Sequence, residues 1–193
     1  MKKSTIIILA VVAVLVIWGV TGYNGLVKME ENVDTSWANV ETQYQRRLDL
    51  IPNLVSTVKG YAAHEQETLS SVIEARSRAT QVTVDPKNLT PEKMAEFQKA
   101  QGDVSNALSR LLVVRENYPD LKASQQFIEL QAQLEGTENR IAVARKNFND
   151  TANKYNKGIR LFPKNILAGM FGFDKKPYFA ADQGASSAPK VEF

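Results

Sequence analysis

The feature that most constrains this chain is a stretch without charged side chains near its start, residues 4–27. Residues 6–20 are apolar or small throughout, and a helix over residues 4–22 would be about 28 Å long. That length matches the hydrocarbon core of a bilayer, so we expect residues 1–22 to form a transmembrane anchor. The rival interpretation is a cleaved signal peptide. Its apolar run is usually shorter, about 7–15 residues, and residues 19–23 make a poor cleavage site.

The basic residues around this stretch predict its orientation. Lys2 and Lys3 precede the apolar run, whereas only Lys28 follows it closely. Loops on the cytoplasmic side carry an excess of lysine and arginine. We therefore expect a cytoplasmic N-terminus, with residues 23–193 on the other side of the membrane.

Composition excludes most catalytic and nucleic-acid functions. The chain has no cysteine and one histidine, which excludes thiolate ligands and a pair of histidine ligands. The formal net charge is +3, of which Lys2 and Lys3 supply two, so residues 23–193 carry +1. Nucleic-acid binding needs a clustered cationic face, so we expect none here. Glu135 and Glu138 share a helix face but lack the histidines of a bundle metal site. We expect no enzymatic activity, no cofactor and no metal.

The rest of the chain is patterned as helix. Apolar residues recur at alternating spacings of three and four, which is typical of an amphipathic helix. The clearest stripe comprises Phe127, Leu130, Leu134, Thr137, Ile141, Ala144, Phe148, Thr151 and Tyr155. Residues 82–84 are the nearest approach to a strand and are too short to found a sheet. Thr90 and Ser124 are predicted helix N-caps, each at the start of a new helix.

Pro52 leaves two arrangements open. It either kinks one long helix over residues 24–81, or lies in a hairpin at residues 49–53, because proline inside a helix removes a hydrogen bond and clashes with the preceding turn. The hairpin gives four helices of similar length, which can bury their stripes against one another. We therefore predict an all-α fold, with the anchor followed by an antiparallel four-helix bundle over residues 23–158. The four helices are predicted over residues 24–50, 53–82, 91–117 and 124–158.

The segment after the last helix, residues 159–179, is apolar and aromatic with basic residues in and around it. Two interpretations are open. Four side chains either contact the membrane surface, as amphipathic interfacial segments do, or cap one end of the bundle core. These side chains are Phe162, Ile166, Phe171 and Phe173. Residues 180–193 are small and polar, and we expect them to be disordered.

Several strings in the chain resemble the LemA family, and the resemblance covers about residues 6–179. They are Tyr23-Asn24-x-Leu26-Val27, Val33-x-x-x-Trp37-x-x-Val40, Gln45-Arg46-Arg47-x-Asp49-Leu50-Ile51-Pro52-Asn53-Leu54-Val55, Val58-Lys59-x-Tyr61-Ala62-x-His64-Glu65, Glu116-Asn117-Tyr118-Pro119-x-Leu121-Lys122-Ala123, Phe127-x-x-Leu130-Gln131, Thr137-Glu138-x-x-Ile141 and Tyr155-Asn156. The resemblance implies a bacterial protein with one transmembrane helix and a long four-helix bundle, which agrees with a hairpin at Pro52. It implies no catalytic residues, because the family has no established activity.

Two functions follow as hypotheses. The first is a non-catalytic interaction or scaffold module anchored in the bacterial inner membrane, with most of the chain periplasmic or extracytoplasmic. Its predicted interaction surface comprises Arg46, Arg47 and His64. Family analogy suggests a TPM-domain membrane protein or a membrane metalloprotease as partner, and the heptad-like stripes also suit a homo-oligomer. The second is a membrane-organising protein that binds lipid through its anchor and its aromatic segment.

Overall fold

The computed structural model describes residues 3–180, and in that range the chain is helical, without strands. Six α-helices follow one another: α1 (Lys3–Tyr61), α2 (Gln66–Gln81), α3 (Pro91–Val114), α4 (Pro119–Ala123), α5 (Gln125–Gly158) and α6 (Lys164–Phe171). Two short 3₁₀ turns, Pro86–Asn88 and Arg115–Asn117, lie before and after α3. The all-α prediction is confirmed. The segment predicted to be disordered lies outside the described residues except for Ala180.

Helix α1 joins the predicted anchor to the rest of the molecule without a break. It has 59 residues and is therefore about 88 Å long. Its first part is long and apolar enough to cross a membrane, and very little of that stretch is buried. Buried residues become regular only beyond it, from Leu26 to Val58. One helix thus supplies both a lipid-compatible surface and a core-forming surface.

The predicted hairpin at residues 49–53 is wrong, because α1 continues through Pro52 to Tyr61. Pro52 has no N–H to donate to the carbonyl of Leu48, four residues earlier. Arg76 on α2 replaces that donor, with its Nε 2.9 Å from the Leu48 oxygen. The chain turns instead at residues 62–65. The helix predicted over residues 53–82 accordingly begins at Gln66, and the helices are not of similar length.

Helix α5 runs alongside α1 in the opposite direction. The Ser36 hydroxyl donates to the Thr151 hydroxyl at 3.2 Å, and Arg47 contacts Glu138 at 2.8 Å. Residue numbers thus rise along α1 as they fall along α5. Helix α2 packs against α3 and α1, and α6 returns to α1. The predicted caps are confirmed, since the Thr90 and Ser124 hydroxyls accept from the backbone N–H groups three residues on.

The buried apolar side chains form two clusters, one at each end of the helices. The cluster nearer the apolar span of α1, which we call the membrane-proximal cluster, includes Leu26, Trp37, Phe148 and Tyr155. The distal cluster includes Leu54 and lies around the turn between α1 and α2. Within the described residues, three buried polar residues lie between the two clusters: Arg47 on α1, Gln101 on α3 and Thr137 on α5. This layer is where one residue of the predicted interaction surface is found.

Candidate functional surfaces

Arg47 lies in the polar layer and is 1% exposed. Its Nη1 donates to Glu138 Oε1 and to Ser105 Oγ, both at 2.8 Å. Its Nη2 donates to the backbone carbonyl of Gln101 at 3.0 Å and to Gln101 Oε1 at 2.6 Å. The guanidinium also lies 5.1 Å from the centre of the Tyr44 ring. These contacts join α1 to α3 and α5, so Arg47 is not available to a partner at the surface.

The structure separates the three residues of the predicted interaction surface. Arg46 is exposed on α1, although its neighbour Arg47 is buried. His64 is exposed in the turn after α1. Residues 47 and 64 are about 25 Å apart along the helix direction. The three therefore do not form one patch, and a role for Arg46 or His64 in binding stays a prediction.

Helix α6 lies beside α1 where the apolar span ends. The Tyr23 ring is 4.9 Å from the Phe171 ring and 5.8 Å from the Phe173 ring, measured between centroids. Leu167 packs so closely on Gly22 that a Cβ there would lie 2.5 Å from Leu167 Cδ1. Glycine at this position therefore permits the contact. The packing places α6 at the level where a membrane surface would begin.

The outer face of this segment is apolar and uncovered. Its large side chains are 48–81% exposed: Leu161, Phe162, Ile166, Met170 and Phe171. The inner face is buried through Leu167 and Ala168, and Phe173 packs partly against the membrane-proximal cluster. Of the four side chains predicted to cap the core or to contact the membrane, Phe173 thus packs partly against the core, whereas Phe162, Ile166 and Phe171 are exposed. Contact of Phe162, Ile166, Phe171 and Phe173 with lipid stays a prediction.

After α6 the chain crosses back along α5 as a segment that we call the strap, residues 174–180. Asn156 on α5 accepts from the backbone N–H of Lys176 at 2.9 Å and donates to the carbonyl of the same residue at 2.8 Å. Asn149 does the same for Phe179, at 2.8 and 3.1 Å. Each asparagine amide thus satisfies both backbone groups of one strap residue.

Lys176 is 5% exposed, and its side chain enters a pocket lined by carboxylates. Its Nζ lies 3.0 Å from Glu30 Oε1 and 3.3 Å from the carbonyl of Pro86. Asp34 is close by, and the pKa of its carboxyl is raised. Burial raises this pKa more than the positive charge of Lys176 lowers it. Burial also raises the pKa of Tyr155, whose hydroxyl is buried in the same region.

The Phe179 side chain fills an aromatic pocket and is 5% exposed. Its ring stacks on Trp37 at 5.8 Å with an interplanar angle of 14° and meets the Phe148 ring edge-on at 5.5 Å. The Arg145 guanidinium lies 5.1 Å from the ring centre, and its Nη2 donates to the carbonyl of Ala180 at 2.9 Å. The pocket is therefore closed on several sides by groups of α1 and α5.

Sequence reasoning missed Asn149 and Asn156. Asn156 stands in the Tyr155-Asn156 string of the family resemblance, and the spacing of seven between the two asparagines places both on one side of a helix. That signal is weak without the strap, because exposed asparagines are common on helices. No group of three or more His, Asp or Glu side chains within residues 3–180 is arranged to hold a metal ion.

Comparisons with known proteins identify relatives. The model of the LemA family matches residues 36–193. Two MamQ magnetosome proteins of Paramagnetospirillum magneticum are each 30% identical to this chain over 174 residues, which is 81% of this chain and 64% of theirs. Protein LemA of Metamycoplasma hominis is 25% identical over 160 residues, 83% of this chain and 69% of that protein. The chain thus spans less than two thirds of the length of the magnetosome relatives.

Proposed function

The chain belongs to the LemA family, and from this premise we propose that it is a non-catalytic interaction module anchored in the bacterial inner membrane. In this proposal the extramembrane part of α1 forms an antiparallel four-helix bundle with α2, α3 and α5. Residues 1–22 are the anchor, residues 23–158 the bundle, and residues 159–179 the membrane-proximal segment. A bundle held in this way presents its polar faces to other proteins.

The observation that carries this proposal is the continuity of α1. The helix that is exposed and apolar over its first part becomes, without interruption, the helix against which α5 and α2 pack. A cleavage between the two parts would cut through an intact helix. A permanent tether is therefore the arrangement that this geometry favours.

For the orientation, we propose a cytoplasmic N-terminus and an extracytoplasmic bundle. Lys2 and Lys3 before the span, against Lys28 after it, support this orientation. The test is a pair of reporters fused after Phe193, one active only in the cytoplasm and one only outside it. We expect signal from the second alone. Signal from the cytoplasmic reporter would overturn the orientation.

For the partner, we propose a membrane protein, by family analogy a TPM-domain protein or a membrane metalloprotease, or a further copy of this chain. The test is crosslinking in native membranes, followed by purification in mild detergent and mass spectrometry. We expect a defined crosslinked partner or a self-crosslink. If the chain is recovered only as a monomer, the interaction proposal fails.

A second candidate function, binding of lipid through α6, is favoured by the uncovered apolar face of that segment. The exposed side chains lie beside Tyr23, at the end of the apolar span. Arg160, Lys164 and Lys175 lie around them and would meet anionic headgroups. Apolar contact continuous with the anchor and basic residues at its edge are the features of an interfacial helix.

The lipid candidate is testable with single labels, because the chain has no cysteine. Phe162→Cys, labelled with an environment-sensitive fluorophore in the full chain reconstituted into anionic vesicles, is expected to be quenched by lipids that carry a shallow quencher. The matched control is Ile128→Cys, which replaces another exposed apolar side chain (47% exposed, against 81% for Phe162) at the start of α5. Equal quenching at the two positions, or none at Phe162→Cys, would refute the lipid contact.

A further inference from the structure

The strap is bound to the molecule as a peptide ligand is bound to a receptor. Its backbone is held at Lys176 and Phe179 by asparagine side chains, and the side chains of the same two residues enter separate pockets. Recognition of extended peptides works in this way, since main-chain hydrogen bonds supply affinity and side-chain pockets supply specificity.

The spacing of the two asparagines selects an extended segment. Asn149 and Asn156 are seven residues apart on α5, which is about 10.5 Å. Lys176 and Phe179 are three residues apart, and three residues cover about 10 Å only when the backbone is extended. The two distances agree, so each of the two asparagines, which we call the clamps, meets its strap residue without distortion. A helical segment would cover about 4.5 Å and would miss one of the clamps.

We propose that the groove between α1 and α5 is a recognition site for an extended segment of a partner protein in which a lysine is followed, three residues later, by a phenylalanine. The strap is its resident ligand in the free chain. This inference rests on the proposed interaction function and names the kind of partner that the module takes.

The two pockets explain the choice of residues. In the Lys176 pocket, the ammonium group pairs with the Glu30 carboxylate and also donates a hydrogen bond to the backbone carbonyl of Pro86. A neutral or acidic side chain there would leave that carboxylate without its cation. In the Phe179 pocket, the rings of Trp37 and Phe148 make ring–ring contacts, which only an aromatic side chain can form. The site therefore discriminates at two positions.

A tethered ligand also explains how the site is kept closed. A segment joined to its own site competes at an effective concentration on the order of millimolar. A partner's segment therefore binds weakly while the strap is in place, and its apparent affinity rises with the fraction of molecules in which the strap is released. The chain holds one further lysine–phenylalanine pair at this spacing, Lys190 and Phe193, outside the described residues.

The test uses the full chain in detergent micelles and a fluorescent peptide with the sequence of residues 174–180. The opened variant carries Lys176→Ala and Phe179→Ala. We expect it to bind the peptide at least about tenfold more tightly than the unaltered chain, because its own strap no longer competes. Adding Asn149→Ala and Asn156→Ala to the opened variant should abolish binding. The matched control adds Asn153→Ala, an exposed asparagine between the two clamps, and should change nothing.

Binding to the opened variant no tighter than to the unaltered chain, with helical circular dichroism retained, overturns the proposal. If the opened variant does not fold, hydrogen exchange in the unaltered chain decides. Excess peptide must then accelerate exchange at the amides of Lys176 and Phe179, and unchanged rates overturn the proposal.

A second peptide, of residues 187–193, tests whether another copy of this chain is the occupant. Binding of that peptide together with concentration-dependent pairing of opened variants would replace the partner protein by a second copy, and so overturn the commitment to another protein. The peptide test and the membrane crosslinking experiment can fail separately. If the peptide does not bind but a crosslinked partner is found, the interaction function stands and only the proposed groove site is refuted.

Discussion

At the scale of single residues, Arg47 shows how a buried charge can fix the register of helices. Its guanidinium meets α3 and α5 at one level, between the two apolar clusters. Such a layer stabilises one alignment of the helices, because any shift would leave a buried cation without its partners. The role is structural and needs no external ligand.

Replacement of Arg47 is expected to destabilise the chain far more than replacement of its neighbour. Arg47→Ala should lower the free energy of unfolding by about 2–4 kcal/mol, through the cavity and the lost hydrogen bonds. Arg46→Ala, the matched exposed control, should stay within about 0.5 kcal/mol. Urea unfolding of the full chain in micelles, followed by circular dichroism, measures both. Equal losses would contradict the buried-layer role.

Asp34 predicts a specific pH dependence. Its pKa is raised in the folded chain, chiefly by burial, so the folded state favours the protonated carboxyl. The stability that this group contributes is therefore present below its unfolded pKa and is lost as pH rises through the folded pKa. Asp34→Asn should raise the free energy of unfolding at neutral pH, and the gain should vanish in acid.

The measurement for Asp34 is urea unfolding across a pH series, with Glu31→Gln as the control for an exposed carboxyl on the same helix. If Asp34→Asn instead destabilises the chain at neutral pH, the attraction between Asp34 and Lys176 outweighs the cost of burial.

At the scale of elements, α1 tolerates a proline because a neighbouring helix compensates for it. The Leu48 carbonyl that Pro52 cannot serve accepts from Arg76 on α2. The strength of α1 at this point thus depends on the packing of α2. The same contact explains why a proline that predicts a break in an isolated helix does not produce one here.

A double-mutant cycle tests this compensation. Arg76→Ala should cost about 1.5–3 kcal/mol in the unaltered chain, the range for hydrogen bonds to charged groups. It should cost less in the Pro52→Ala background, where the backbone N–H at position 52 serves the Leu48 carbonyl. Arg78→Ala, an exposed arginine on the same helix, is the control. Additive effects would refute the link between Arg76 and Pro52.

At the scale of the whole molecule, the unbroken α1 would set the height of the protein above the membrane in the proposed anchored arrangement. From Tyr23 to Tyr61 the helix rises about 57 Å. A label at His64→Cys should therefore transfer little energy to an acceptor dye in the lipid headgroups, whereas one at Lys28→Cys should transfer strongly. The hairpin at residues 49–53 would bring His64 down to about 22 Å. Strong transfer from both labels would contradict the continuous helix.

The sequence alone sufficed for the features that depend on local chemistry and periodicity. An unbroken run without charges predicts a membrane-compatible helix, and spacings of three and four predict helices whatever their neighbours are. Thr90 and Ser124 cap helices through hydroxyls that reach backbone groups three residues away. The family resemblance was equally a property of the residues themselves, and the family match confirms it.

The tertiary structure alone decided the path at Pro52, the burial of Arg47 and the binding of the strap. Each depends on atoms far apart in sequence: Leu48 and Arg76, Arg47 and Glu138, Asn149 and Phe179. Periodicity assigns a side chain to a face of its own helix, but not to the partner it meets there. A proline, a buried charge and a pair of asparagines therefore acquired their roles only when other helices supplied the missing donor, the counter-charge and the bound segment.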